Sequence, residues 1–172
     1  AKIPHTQGAF REQIIVDKSQ CHLIDTSTTF EEAAFAEPLA VALHASSFIK
    51  NNKNHNILIA GCGPIGLLLL KILIQEISEK NIFVIDINNN VLEAAKNIGN
   101  IKTVNIKDEF NFFKDHENYF DVSFEASGNI NSKNNLMDMA KRGSDIVQIG
   151  NMPGGLVNIN YNKVMTKELR IQ

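Results

Sequence analysis

The chain has 172 residues, 44% of them hydrophobic, and 17 basic against 19 acidic side chains give it a formal net charge of −2. That length and composition support one good core rather than two, and the mixed charge offers no basic field for a nucleic acid. The longest apolar run, residues 65–70, is too short to span a bilayer; nothing at the start resembles a signal peptide, and a cytoplasmic protein fits best.

In chain order, residues 8–16 read as a strand that the later elements do not need, so it is expected to belong to a preceding domain. Glu37 stands directly before Pro38, a place that suits a helix N-cap or a partner of the helix dipole. Ile57-Leu58-Ile59-Ala60 then reads as a buried strand running into Gly61-Cys62-Gly63-Pro64-Ile65-Gly66 and a helix. The second strand, residues 81–86, ends on Asp86, twenty residues beyond Gly66. Residues 90–98 read as a helix closed by Gly99, 101–106 as a third strand and 108–114 as a short helical turn. A fourth strand over 120–125, a helix over 130–141 and a fifth strand over 145–149 continue the alternation. Residues 156–160 alternate as a strand, and 168–171 begin another as the chain stops. The pattern predicts an α/β fold of the Rossmann type, a doubly wound and mostly parallel sheet.

The glycine loop between strand and helix is a dinucleotide-binding fingerprint in its proper context. Gly61 permits the tight turn, Gly63 lets backbone approach a pyrophosphate, and Gly66 lets the helix pack closely on the sheet. Pro64 suits the first turn of the helix, whose free N–H groups and positive dipole end favour phosphate. Asp86 is placed to accept the ribose hydroxyls of an adenosine. A 2′-phosphate would meet it as a like charge, and Ile87, Asn88, Asn89 and Asn90 supply no Arg to compensate, which favours NAD over NADP. S-adenosylmethionine methyltransferases open with a similar βαβ unit, usually with an acidic residue in the strand before the glycines; residues 57–60 contain none. Cys62 reads as a small tolerated side chain, and with Cys21 it forms no CxxC pair, disulfide framework or cysteine-built zinc site. The asparagine clusters at 51–56, 88–90 and 129–135 read as composition bias at turns and helix starts. The chain begins without Met and ends inside an apolar strand, and it is read as a fragment.

Phe30-Glu31-Glu32-Ala33-Ala34-Phe35-Ala36-Glu37-Pro38-Leu39-Ala40-Val41-Ala42-Leu43-His44-Ala45 resembles the zinc-dependent medium-chain dehydrogenases of the polyol type. Pro4-His5 through Gly8-Ala9-Phe10, Ser19-Gln20-Cys21 and Tyr119-Phe120-Asp121-Val122-Ser123-Phe124-Glu125-Ala126-Ser127-Gly128 carry the same resemblance, which covers essentially the whole chain. It implies that residues 1–36 are the tail of a GroES-like catalytic domain and 37–172 a C-terminally truncated NAD-binding domain. It implies a catalytic zinc whose Cys, His and Glu ligands lie outside this chain, with Glu37 at the remaining zinc position, direct or through water. No pair among His5, Cys21, His22, His44, His55 and His116 replaces those ligands. His44, seven residues beyond Glu37, stands about 10 Å further along a helix axis and reads as a packed or hydrogen-bonded helix histidine.

The resemblance further places Ala126, Ser127 and Gly128 beside the cofactor, and Ile149, Gly150 and Asn151, with Met152, beside its nicotinamide. Ligands of open α/β sheets gather at these strand ends. The implied reaction is NAD-dependent, zinc-assisted oxidation of the C5 hydroxyl of L-idonate to 5-keto-D-gluconate. Sorbitol, another polyol or L-threonine is the alternative substrate, and a dinucleotide-binding module without catalysis is what the chain alone is expected to be. A homo-oligomer pairing through the strand at 156–160 is also implied.

Overall fold

The computed structural model describes residues 8–49, 54–109 and 111–172. The stretch around Pro4 and His5, the start of the asparagine cluster at 51–53, and Phe110 in the expected helical turn lie outside them. The chain divides into two compact units, Ala1–Ala34 and Phe35–Gln172.

Local side-chain bonds shape the first unit. Asp17 and Asp25 each accept the N–H and hydroxyl of the serine two residues on, which lowers both carboxyl pKa values. Helix α1, Phe30–Ala34, opens on a reciprocal capping box: the Glu32 N–H donates to Thr29 Oγ1 at 3.1 Å, and the Thr29 N–H to Glu32 Oε2 at 2.9 Å. The strand expected over residues 8–16 is absent, and Phe10 and Ile15 are fully exposed. A strand needs a ladder partner, and no described residue of this unit is in a strand.

The second unit is the doubly wound sheet. Strands β1 (Ile57–Ala60), β2 (Ile82–Asp86), β3 (Lys102–Asn105), β4 (Phe120–Glu125), β5 (Ala140–Gln148) and β6 (Arg170–Ile171) lie in the order β3-β2-β1-β4-β5-β6, every pairing parallel. Helices α2 (Ala36–Ser46), α3 (Pro64–Leu73) and α4 (Asn89–Lys96) supply Ala42, Leu69, Leu70 and Leu92 to one face, against Ile57, Ile59, Val84 and Phe124. On the other face α5 (Phe112–Asp115), α6 (Ile130–Met139) and α7 (Tyr161–Thr166) bring Phe112, Leu136 and Val164 to Leu58, Phe83 and Ile146. Burial on both faces explains why β1 and β2 read as unbroken apolar runs rather than alternating ones. No helix among the described residues is long and apolar enough to cross a membrane.

Two expectations are corrected at the carboxyl end. Residues 156–160 form no strand. The position beside β5 belongs to β6, held by a bidentate Arg170–Asp145 pair at 2.6 and 2.7 Å, while the Asn134 side chain fastens the 156–160 segment through Asn158 O and the Asn160 N–H. Helix α6 ends at Met139 rather than 141, because Lys167 Nζ donates to the carbonyls of Met137, Asp138 and Ala140 and Ala140 already pairs with Phe120. Helix α7 is an element the alternation did not reveal.

Candidate functional site

The predicted nucleotide residues converge at the carboxyl edge of the sheet. Gly61 leaves β1 at φ +96°, and a Cβ there would press on the backbone of Ala126 and Ser127 at 2.6–2.8 Å, so the exits of β1 and β4 touch. Gly66 lies one turn into α3, where a Cβ would strike the Gly61 carbonyl oxygen. Around Gly63 a Cβ would meet nothing within 4 Å. That open backbone is the N-cap of α3, with Pro64 and Ile65 in the first turn behind it. Free N–H groups and the helix dipole therefore face an uncrowded space, the arrangement a pyrophosphate requires.

Asp86 fixes the loop from β2. Its Oδ2 accepts the Cys62 N–H at 2.7 Å, and its Oδ1 accepts those of Ile87 and Asn88 at 2.7 and 2.9 Å. The carboxylate thus joins the glycine turn to the end of β2 while staying at the rim of a cavity of about 350 Å³. Ala60, Gly61, Ile87, Ile106 and Phe113 give that cavity apolar walls, and Ser127, Asn129, Asn131, Ser132 and Asn135 give it polar ones. A flat base and a ribose suit this mixture of surfaces. The described residues therefore fit a dinucleotide.

Burial, and after it the Asp86 charge, push the Cys62 thiol up to about 12. Fully buried, Cys62 is a packing residue without redox chemistry at neutral pH. At the neighbouring exits, Gly128 has φ +68°, and a Cβ on it would meet the Asn151 carbonyl; one on Gly150 would meet Gly128. Segments 126–128 and 149–151 are consequently packed against each other.

Glu37 is exposed in the first turn of α2, beside the free N–H groups of that helix. Among the described residues no three His, Cys, Asp or Glu side chains gather to hold a metal. The residues present do not by themselves make a zinc site. His44, also exposed, packs edge-on against Phe48 at 5.0 Å between ring centroids.

Sequence reasoning passed over the lining of the cavity from α6. Asn129, Asn131 and Asn135 sit in a cluster that by sequence reads as composition bias, yet Asn129 caps α6 by accepting the N–H groups of Asn131 and Ser132, and all four residues face the cavity. It also gave no role to Glu125, Lys133 or Gln148, buried or half-buried polar groups behind the β4 and β5 exits. The signal available was a carboxylate as the last residue of a strand, at the edge where ligands of such sheets gather.

Comparison with known proteins agrees with this geometry. Residues 64–172 match the family model of zinc-binding dehydrogenases. The L-idonate 5-dehydrogenase (NAD(P)(+)) of Escherichia coli K12 is 31% identical over 170 residues, 98% of this chain and 49% of its own length. The L-threonine 3-dehydrogenase of Stenotrophomonas maltophilia K279a is 31% identical over 173 residues, with the same coverage of 98% and 49%. The crystal structure of the E. coli L-idonate 5-dehydrogenase superposes with a TM-score of 0.86, covering 99% of this chain and 49% of that one. The chain spans about half the length of these relatives.

Proposed function

The chain belongs to the zinc-binding dehydrogenase family, and from that premise we propose that it binds NAD across the exits of β1, β2, β4 and β5. The observation that carries this reading is the Cys62 N–H to Asp86 bond, which presents an open Gly63 backbone and a carboxylate on one rim. The backbone of residues 61–66 would take the pyrophosphate and Asp86 the adenosine ribose. Ser127 and Gly128, with Ile149, Gly150 and Asn151, would take the nicotinamide end. NAD so held supplies a hydride acceptor. The chain's own part is to orient it: α3 neutralises the phosphates, and the packed segments 126–128 and 149–151 fix one side of the ring. NAD is preferred over NADP because a 2′-phosphate would face Asp86 with no cation among residues 87–90.

For the whole protein the proposed reaction is oxidation of the C5 hydroxyl of L-idonate to 5-keto-D-gluconate, with sorbitol, another polyol or L-threonine as the alternative. Residues 1–36 would be the tail of the catalytic domain and 37–172 the coenzyme domain. Glu37 would contribute to a zinc site completed elsewhere, and exposed Leu156 and Val157 would help join two copies. For the chain alone, the alternative is a dinucleotide-binding module without catalysis.

The test is NADH formation by the full-length gene product that carries this chain, supplied with zinc and NAD, on L-idonate, sorbitol and L-threonine. Preference for L-idonate supports the proposed reaction. Preference for another substrate moves the specificity and keeps the class, and no turnover on any of them overturns the proposed reaction and makes the binding module the reading to pursue.

A further inference from the structure

The sheet face beneath α6 is apolar through Leu58, Phe83 and Ile146. At its carboxyl edge that changes. Glu125 of β4 and Gln148 of β5 stand in register, Glu125 wholly buried, and Lys133 of α6, 4% exposed, reaches Gln148.

Glu125 serves both strand exits. Its carboxylate accepts the N–H groups of Ser127 at 3.2 Å and Gly128 at 2.9 Å, and also the Ser127 hydroxyl. Its main-chain carbonyl accepts the N–H groups of Ile149 and Gly150, both at 2.8 Å. Gln148 Nε2 adds a bond to Glu125 Oε2 at 2.9 Å and one to the Gly150 carbonyl at 2.7 Å. Both of these partners are acceptors, so the amide works only with its nitrogen toward them. Lys133 Nζ, 2.8 Å from Gln148 Oε1, selects that orientation, since an ammonium only donates.

We propose that Lys133 is a positioning residue for the nicotinamide half of the dinucleotide, acting through Gln148 and Glu125 to fix the loops at Ser127–Gly128 and Gly150. The inference rests on the dinucleotide reading of the same site. A buried ammonium and carboxylate cost more than apolar side chains of similar volume in that place. Such a break with the local pattern, at the mouth of a site, marks a functional constraint. Burial draws the Lys133 pKa down, while the Glu125 charge works against that and favours the ammonium.

Lys133→Met keeps the aliphatic stem and removes the ammonium; Gln148→Leu cuts the same link with no change of charge and serves if the first variant does not fold. The 172-residue chain and each variant are titrated with NADH, followed by nicotinamide fluorescence, and with AMP, followed by calorimetry. NADH binding is expected to weaken about tenfold, with reduced nicotinamide emission at saturation. AMP, which reaches only the Asp86 end, should bind unchanged within about twofold. Equal weakening of NADH and AMP would reduce Lys133 to a structural residue and overturn the proposal, as would NADH binding like that of the unaltered chain. If the unaltered chain binds neither ligand, the dinucleotide reading itself is refuted, and this inference with it.

Discussion

Asp86 shows how one side chain sets both the shape of a loop and its selectivity. Three backbone N–H groups converge on its carboxylate, so its direction is fixed before any ligand arrives. Asp86→Ala is therefore expected to loosen the glycine turn and remove the repulsion of a 2′-phosphate together. NAD affinity should fall about tenfold and the NAD to NADP ratio approach one, read by competitive titration of the chain. An unchanged ratio would remove Asp86 from the assignment. Cys62 gives a pH-dependent counterpart. Its folded pKa lies at about 12 against an ordinary value of 9.0, so above pH 9 the unfolded chain loses a proton that the folded one keeps. The stability contribution is complete below pH 9 and is lost as pH rises toward 12, at about 1.4 kcal/mol per pH unit. Urea unfolding at pH 8 and pH 10 should show a drop larger by about that amount in the unaltered chain than in Cys62→Ala. Equal drops would mean that the thiol is not held protonated.

At the scale of elements, the boundaries that sequence misplaced are those decided by distant partners. The start of α3 follows from Gly63 and Pro64, which are local, and the structure begins the helix there. The end of α6 is set by Lys167, 27 to 30 residues away, whose ammonium takes three carbonyls. Lys167→Met should remove one donor from each of those carbonyls, with Asp138 O keeping the Asn118 N–H, and cost about 1–3 kcal/mol, measurable as a lower urea midpoint at unchanged slope. A neutral result would show that α6 is ended by its own sequence. The segment 156–160 makes the complementary case. Its alternation is real, with Ile159 turned to the core, but Asn134 captures its backbone and β6 takes the place beside β5. Periodicity reports which side of a segment is buried; it does not report which neighbour completes a ladder.

Over the whole molecule, the sheet ends differently at its two edges. β3 carries exposed Lys102 at its start, a charge that discourages further pairing. The other edge ends on the short β6, with Ile171 40% exposed and Leu156 and Met165 more so. If two copies join, this second edge is the one to do it. Sedimentation of the chain should show concentration-dependent association that Leu156→Lys with Ile171→Lys weakens by about tenfold or more. A strictly monomeric chain would withdraw the oligomer from the proposal.

By itself the sequence determined the parallel α/β order, the glycine turn, Asp86 at the end of β2 and the four strand exits that make up the proposed nucleotide site. Each follows from short-range physics: apolar runs buried on both faces, missing side chains at a turn, a proline at a helix start. Only the tertiary structure decided how those pieces are fastened. It gave Asp86 three backbone partners, made cavity walls of asparagines that looked like bias, and replaced an expected edge strand with β6. It also assembled Lys133, Gln148 and Glu125 from α6, β5 and β4 into one buried unit. The bonds from Cys62 to Asp86, from Lys133 to Gln148 and from Gln148 to Glu125 join residues 15 to 24 positions apart, and their geometry exists only once the sheet has brought its strands together.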